Sequence, residues 1–247
     1  MSNERLRGAI ATAGMNTEDL ATHIGVDPKT VQRWVSKGRV PHRRHRLATA
    51  QVLSAPEGYL WPSTVDDPAS RSASHAELVD FYPSRAAVPE HLWQTLLRDA
   101  TDSIDFLAYA GLYLPEHLDA VPQLGRLARN GVRVRIALGE PTSAAVALRG
   151  AEEGLDEGMA HRIQLSLRYY EGVRDAAGLY LRVHGTTLYD TIFRSDDTLL
   201  VNTHVYGAPA AQSPVLHFHR VPGGRVFDYY LGGFERVWAR ARPWNGR

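Results

Sequence analysis

Leu20 to Pro41 reads LATHIGVDPKTVQRWVSKGRVP, and its punctuation is unusually regular. Gly25 ends one apolar-periodic segment; Asp27 and Pro28 open the next, and Gly38 closes it about ten residues on. Aspartate caps free helical amides, proline fits the first helical position because its missing N–H has no partner there, and glycine takes the left-handed conformation that stops a helix. Within that helix Val31, Trp34 and Val35 sit at i, i+3 and i+4 and must share one inward face, expected to pack on Leu20, Ile24 and Leu47. Lys29, Thr30, Gln32, Arg33 and Lys37 are left outside.

Working outward, a helix is expected over Asn3–Ala13, stopped by Gly14, and another from Asn16 or Thr17 to Gly25. A further helix is expected from His42 to Leu53. From Lys29 to Arg46 the chain holds Lys29, Arg33, Lys37, Arg39, Arg43, Arg44 and Arg46 and no acid. Such a block asks for a polyanion. Residues 1–60 carry nine Lys/Arg against five Asp/Glu, a balance of +4; the remaining 19 bases and 22 acids leave −3, so the whole-chain charge of +1 is a cancellation. An apolar stripe holding a helix on a scaffold, with Arg, Gln and Thr free to reach base edges and Lys to reach phosphate, is the division a DNA-recognition helix needs.

Leu20–Pro41 resembles the helix-turn-helix of the lambda-repressor-like (XRE) family in its Leu-Ala start, Gly-Val turn, Thr-Val-x-x-Trp helix and Gly-x-x-Pro exit. The resemblance places base reading on Lys29, Thr30, Gln32 and Arg33, with Thr17 near phosphate at the start of the scaffold helix. Lys37, Arg39, Arg43 and Arg44 join the expected DNA-binding set on charge. One such unit reads half a site, so the expected partner is double-stranded DNA with a pseudopalindromic site, bound by a homodimer.

Ser63–Ala76, STVDDPASRSASHA, has linker composition and divides an expected all-α domain over 1–62 from a second domain over 77–247. The second domain alternates helix 89–101, strand 104–110, helix 116–129, strand 132–138 and helix 143–158. Strands 163–169, 179–194, 198–206 and 214–220 and a closing helix 226–240 follow, with a hairpin turn at Arg194–Asp197. The fold class expected is therefore multidomain: an all-α helix-turn-helix domain followed by an α/β domain with a mixed sheet.

The order of elements and the phrases SIDFLAYAGLY, GVRVRIALGEP, TLYDTIFRSDDTLLVNTHVYG and FERVWARARP resemble a phospholipase-D-like unit. Catalysis in that family needs His-x-Lys-x-x-x-x-Asp. Anchored on His184, the Lys position holds Thr186 and the Asp position Thr191; anchored on Asp197, the His position holds Asp190 and the Lys position Ile192. Neither register keeps a nucleophile beside an ammonium, so the resemblance implies the scaffold without phosphodiester cleavage.

A scaffold of that kind tethered to a DNA reader points to ligand sensing, with no resident cofactor and a nucleotide-like or other planar anion as effector. Pockets in α/β sheets open at the carboxyl ends of strands. That places Tyr109, Tyr113, Gly139, Glu140 and Ser143 at one mouth, joined from the hairpin by His184, Tyr189, Asp190, Arg194, Asn202, His204 and Tyr206. Two other readings stand beside this one: a phosphodiesterase or nuclease using His184, and a regulator whose second domain binds only a protein.

The absence of cysteine excludes disulfides, thiolate metal sites and cysteine nucleophiles. His217 and His219 alternate onto one sheet face, but no acidic ligand accompanies them and no metal is assigned. No apolar run approaches membrane length and MSNERLRGAIATAG lacks a signal-peptide core, so a cytoplasmic protein is expected. Arginine outnumbers lysine 26 to 2, as in GC-rich bacterial genomes.

Overall fold

The computed structural model describes residues 2–64 and 68–246, which form two compact units, Met1–His75 and Ala76–Arg247. The first is helical: α1 (Glu4–Thr12), α2 (Thr17–Ile24), α3 (Pro28–Lys37), α4 (Arg43–Val52) and the single turn α5 (Glu57–Leu60). Asn16 accepts from the amides of Glu18 and Asp19 while Asp19 reaches back to the Asn16 amide, a closed capping box. Gly25 (φ +67°) and Gly38 (φ +62°) end α2 and α3 in the left-handed region. Asp27 caps α3 by accepting from the Lys29 amide at 2.8 Å. The core gathers Leu6, Leu20, Val31, Trp34, Leu60 and Trp61, with Trp34 edge-on to Trp61 at 6.5 Å. Leu47 is 37% exposed and is not part of it. Leu60 and Trp61, which lie beyond the helical pattern that suggested Leu47, are core members instead.

The stretch 63–76, expected as a linker, carries a 3-10 turn, Pro62–Thr64, and helix α6, Pro68–Ala76; 65–67 lie outside the described residues. Its Ser/Ala composition suits an exposed helix as well as a linker.

The second unit is built on β1 (Leu78–Tyr82), β2 (Ser103–Leu107), β3 (Arg133–Gly139), β4 (Leu179–His184), β5 (Asp190–Ser195), β6 (Thr198–Thr203), β7 (Val215–His219) and β8 (Arg242–Pro243). They form one mixed sheet in the order β1-β7-β6-β5-β2-β3-β4-β8, with β2, β3 and β4 parallel and every other pairing antiparallel. Helices α7 (Glu90–Arg98), α8 (Tyr113–His117), α9 (Ala120–Arg129), α10 (Ala144–Glu152), α11 (Gly158–Tyr170) and α12 (Val226–Arg240) complete it.

Three local expectations are corrected. Residues 163–169 are helical, inside α11, because Met159, Ile163, Leu167 and Tyr170 are buried at helical spacing; Ile163 and Leu167 alone also fit a strand. The expected helix 116–129 is split into α8 and α9 at Leu118-Asp119, where Asp119 has φ +46°. The long strand 179–194 is two strands. β4 and β5 flank the β3–β2 pair on opposite sides, so residues 185–189 must run over the carboxyl ends of β3 and β2, about 14 Å at three strand spacings. The turn between β5 and β6 is a two-residue hairpin closed by Ser195 and Thr198, with Asp196 at φ +48°. The Asp196 carboxylate accepts from the amides of Thr101, Asp102 and Ser103, and these bonds hold its pKa below the ordinary range despite partial burial.

Across the sheet face under α12, Asp105 on β2 is fully buried and sits between Arg135 on β3 (2.6 Å) and Arg194 on β5 (2.8 Å), its direct neighbours in register. Arg135 also grips Glu235 of α12 with two bonds of 3.0 and 2.7 Å, under the rings of Phe234 and Trp238. Removing Asp105 takes the carboxylate from Arg194 and leaves Arg135 on Glu235 alone. Asp105→Ala is expected to lower the unfolding free energy by about 3–5 kcal/mol, whereas Arg98→Gln in the exposed Arg98–Asp99 pair is expected to leave the midpoint unchanged. Urea denaturation of the two variants checks this; equal midpoints refute it.

Candidate nucleic-acid interface and C-terminal cavity

In the first unit a groove of about 610 Å³ opens between α3 and the start of α4. Thr30, Arg33, Arg39, His42, Arg44 and His45 line it, with Trp34, Val40 and Pro41 as its apolar wall. Residues 28–56 contain no acid, so no carboxylate from these helices reaches the groove. Burial of Val31, Trp34 and Val35 turns α3 so that Lys29, Gln32, Arg33 and Lys37 are exposed, and Thr30 is half-buried at the groove.

Arg39 and Arg44 are exposed and Arg43 is half-buried; Thr17 is half-buried at the first position of α2. The groove therefore joins Thr30, Arg33, Arg39 and Arg44, while Thr17, Lys29, Gln32, Lys37 and Arg43 lie outside its lining. His42 and His45 are lining residues the sequence reading left aside. The signal was present in HRRHR, where two histidines bracket a pair of arginines at the start of a helix.

The start of α4 is electrostatically inverted. Its cap, His42, makes no side-chain bond to the free amides, and its first turn holds arginines and no acid. A helix N-terminus carries about half a positive charge, so cations there are unfavourable and an anion is favoured. His45 accepts a 3.0 Å bond from Arg44 Nε through Nε2, which requires the neutral ring. Partial burial, then the charges of Arg44 and His42, push its pKa down. Arg46 instead turns inward, bonded to Glu57 at 2.6 Å and to the Pro41 carbonyl at 2.8 Å, and fixes the segment between α3 and α4.

The second unit contains a cavity of about 150 Å³ on the sheet face opposite α12, at the carboxyl end of β2. Phe106, Thr191, Phe193, Leu200 and Asn202 supply its sheet wall, and Arg85, Trp93, Tyr113, Met159 and the turn Ala210–Gln212 its cover. Of the residues expected at this mouth, Tyr109, Tyr113, Asn202 and His204 reach it. Gly139, Glu140 and Ser143 do not: Glu140 pairs with Arg242, and Ser143 caps α10 by accepting from the Val146 amide. Arg194 is the buried partner of Asp105 on the other sheet face. Tyr189 and Tyr206 are 78% and 82% exposed. Asp190 lies near Arg236 and Arg240 of α12 in a separate surface hollow, with its pKa raised by burial. Arg85, Trp93 and Thr191 were missed; Thr191 was legible, since it faces Asn202 across the β5–β6 pair.

His184 is 3% exposed and lines none of this cavity. Its Nε2 donates to the Ala108 carbonyl at 3.2 Å and its Nδ1 accepts from the Thr186 amide at 3.3 Å. Burial lowers its pKa. His204 donates from Nδ1 to the Leu188 carbonyl and accepts from the Thr191 hydroxyl at Nε2 (3.0 Å), and its ring stacks on Tyr109 at 5.8 Å. Burial first, and the Arg149 charge second, lower its pKa to about 4. His217 and His219 stand apart on β7, His219 against Thr198. Among the described residues no cluster of three or more His, Asp or Glu is placed to hold a metal, and no helix is long and apolar enough to cross a membrane.

No family model matches the chain, and no curated protein matches it. Among solved structures it is similar to TrmBL2, an archaeal chromatin protein whose structure shows a novel mode of DNA binding. The TM-score is 0.39 and the identity 13%, over 67% of this chain and 52% of that one. The chain thus spans about half the length of that protein.

Because His204 titrates near pH 4 folded and near 6.5 unfolded, its neutral burial contributes fully above pH 6.5 and is lost as pH falls toward 4. The shift corresponds to about 3 kcal/mol. The urea midpoint of the second unit's transition is expected to fall steeply between pH 6.5 and 4, and His204→Gln to flatten that slope. An unchanged slope in the variant would refute the assignment.

Proposed function

We propose that the chain is a sequence-specific DNA-binding transcriptional regulator. Its first unit acts as a lambda-repressor-like helix-turn-helix, and its second is a phospholipase-D-like unit without catalysis that responds to a small effector. The observation that carries the DNA reading is the acid-free groove between α3 and α4, where Arg33 and Thr30 stand beside Arg39 and Arg44 at an uncapped, cation-bearing helix start. α3 enters the major groove with Gln32 and Arg33 toward base edges, and a backbone phosphate sits at the α4 N-terminus, satisfying free amides and relieving the crowding of like charge. Two copies bind a pseudopalindromic site. Support for pairing comes from β1, a sheet-edge strand with Leu78, Val79 and Phe81 about half exposed, since such an edge invites a second strand. The protein works in the cytoplasm.

The second unit is proposed to be non-catalytic because His184 has both ring nitrogens committed to backbone groups, and because threonine replaces the lysine and aspartate that the phospholipase-D-like reaction requires. Support for an effector comes from the cavity that Tyr109, Tyr113, Asn202 and His204 share.

Selection of binding sites from a random duplex library, followed by salt-dependent titration, tests the reading. Arg33→Ala is expected to cost about 1–3 kcal/mol on the selected site and to relax preference at one base pair. Arg44→Ala is expected to weaken all sequences alike and reduce the slope of log K against log salt by about 1. Failure to enrich any sequence, with no low-salt binding, overturns the DNA reading.

A further inference from the structure

Three buried polar atoms without a hydrogen-bond partner belong to side chains that line the cavity of the second unit: Asn202 Oδ1, Trp93 Nε1 and Arg85 Nε. They come from three separate elements, β6, α7 and the 3-10 turn Arg85–Ala87. Asn202 is 4% exposed and Trp93 5%. The Asn202 amide cannot be turned to hide its oxygen. Its Nδ2 donates to the Ser213 and Pro214 carbonyls at 2.9 and 3.0 Å, and a flipped amide would set oxygen against both. Oδ1 is therefore a fixed acceptor. Beside it in register, Thr191 spends its proton on His204 Nε2 and keeps oxygen lone pairs, so the two form a paired acceptor edge on the sheet wall. The cover presents donors instead, Trp93 Nε1 and Arg85, whose guanidinium lies 4.7 Å over the Tyr113 ring. Leaving three such atoms unsatisfied is costly, because each loses its water without gaining a partner, and a ligand carrying the complementary groups recovers that loss.

Size and wall chemistry narrow the class. About 150 Å³ is the volume of a cavity that accepts benzene, and Trp93, Phe106, Tyr113 and Phe193 supply aromatic walls; Arg162 and Glu153, the latter paired with Arg149 at 2.6 Å, also line it. The enclosed part therefore suits one ring, with its substituents at the polar groups of the lining. We infer that the second unit binds a single-ring aromatic acid bearing a hydroxyl or amino donor: the ring between the aromatic walls, the donor on Asn202 Oδ1 and Thr191 Oγ1, and the carboxylate on Arg85 and Trp93 Nε1. This inference rests on the effector-responsive reading above and names its ligand class.

Calorimetric titration of the full-length protein with 4-hydroxybenzoate tests it, with benzoate, phenol and AMP as comparisons and thermal melting as a second readout. 4-Hydroxybenzoate is expected to bind one per chain and raise Tm, with benzoate and phenol each at least fivefold weaker and AMP silent. Arg85→Gln is expected to weaken 4-hydroxybenzoate at least tenfold while leaving phenol within twofold, a split that a folding defect would not produce. Ala210→Trp, which fills the cavity from its turn, is expected to abolish binding. Binding of AMP alone, equal binding of benzoate and 4-hydroxybenzoate, or no heat and no Tm shift from any of the four overturns the inference. None of these readouts uses DNA. A protein that binds the acid but no DNA refutes the regulator reading alone, and one that binds DNA but none of the four refutes the ligand class alone.

Discussion

The second unit depends on one buried carboxylate. Asp105 lies on β2 and holds β3 through Arg135 and β5 through Arg194, so it fixes the two pairings at which the sheet changes from parallel to antiparallel. A parallel pair and an antiparallel pair meeting on one strand offer no short turn to set their register. The charge ladder sets it, since a slip by one residue would put Asp105 opposite Ile136 or Phe193, both apolar. Period 2 carries the consequence through the sheet: with Asp105 and Arg194 facing α12, Phe106 and Phe193 must face the cavity. The ion network also reaches α12 through Glu235, so the closing helix is seated by the charge that sets the strands.

The first unit shows the opposite use of charge. Its core of Leu20, Val31, Trp34 and Trp61 is well capped and needs no ion pair to hold α2 against α3. Arg44, exposed in the first turn of α4, works against the helix dipole, whereas Arg46 is turned inward onto Glu57. An anion at that helix start would offset the local cost of such charge. The near-neutral whole chain conceals this because the two units carry balances of opposite sign.

How much of this was readable beforehand follows from which physical rule governed each element. Helices α2 and α3 were legible because capping and glycine stops act within a few residues of sequence. α11 was misread because Ile163, Leu165 and Leu167 satisfy a period of 2, and only the more distant Met159 and Tyr170 favour a helix. The strand 179–194 was misread because its division depends on where β2 and β3 lie, which local sequence does not contain. In the site, strand parity decides which residues meet. Once Asn202 is placed at the cavity, the β5–β6 pairing sends Thr191 and Phe193 to the same face and Arg194 to the other. Arg85 and Trp93 come from elements far upstream and had no such signal.

His184 and His204 show why a histidine in a hairpin of this kind is ambiguous from sequence. Residues 185–189 must cross the ends of two strands without sheet bonding, and buried backbone amides there need partners. His184 accepts from Thr186, Tyr109 accepts through its hydroxyl from Leu188 at 2.9 Å, and His204 donates to the Leu188 carbonyl. Each bond uses a ring nitrogen or hydroxyl that chemistry would otherwise require. For His184 to attack phosphorus, one nitrogen must carry a free lone pair toward open space. Here Nε2 holds a proton shared with Ala108, and Nδ1 is occupied by Thr186. Exchanging the tautomer would point a lone pair at a carbonyl and a proton at an amide N–H, breaking both bonds at once. The imidazole that the catalytic pattern would make a nucleophile therefore serves as a strut for the crossing.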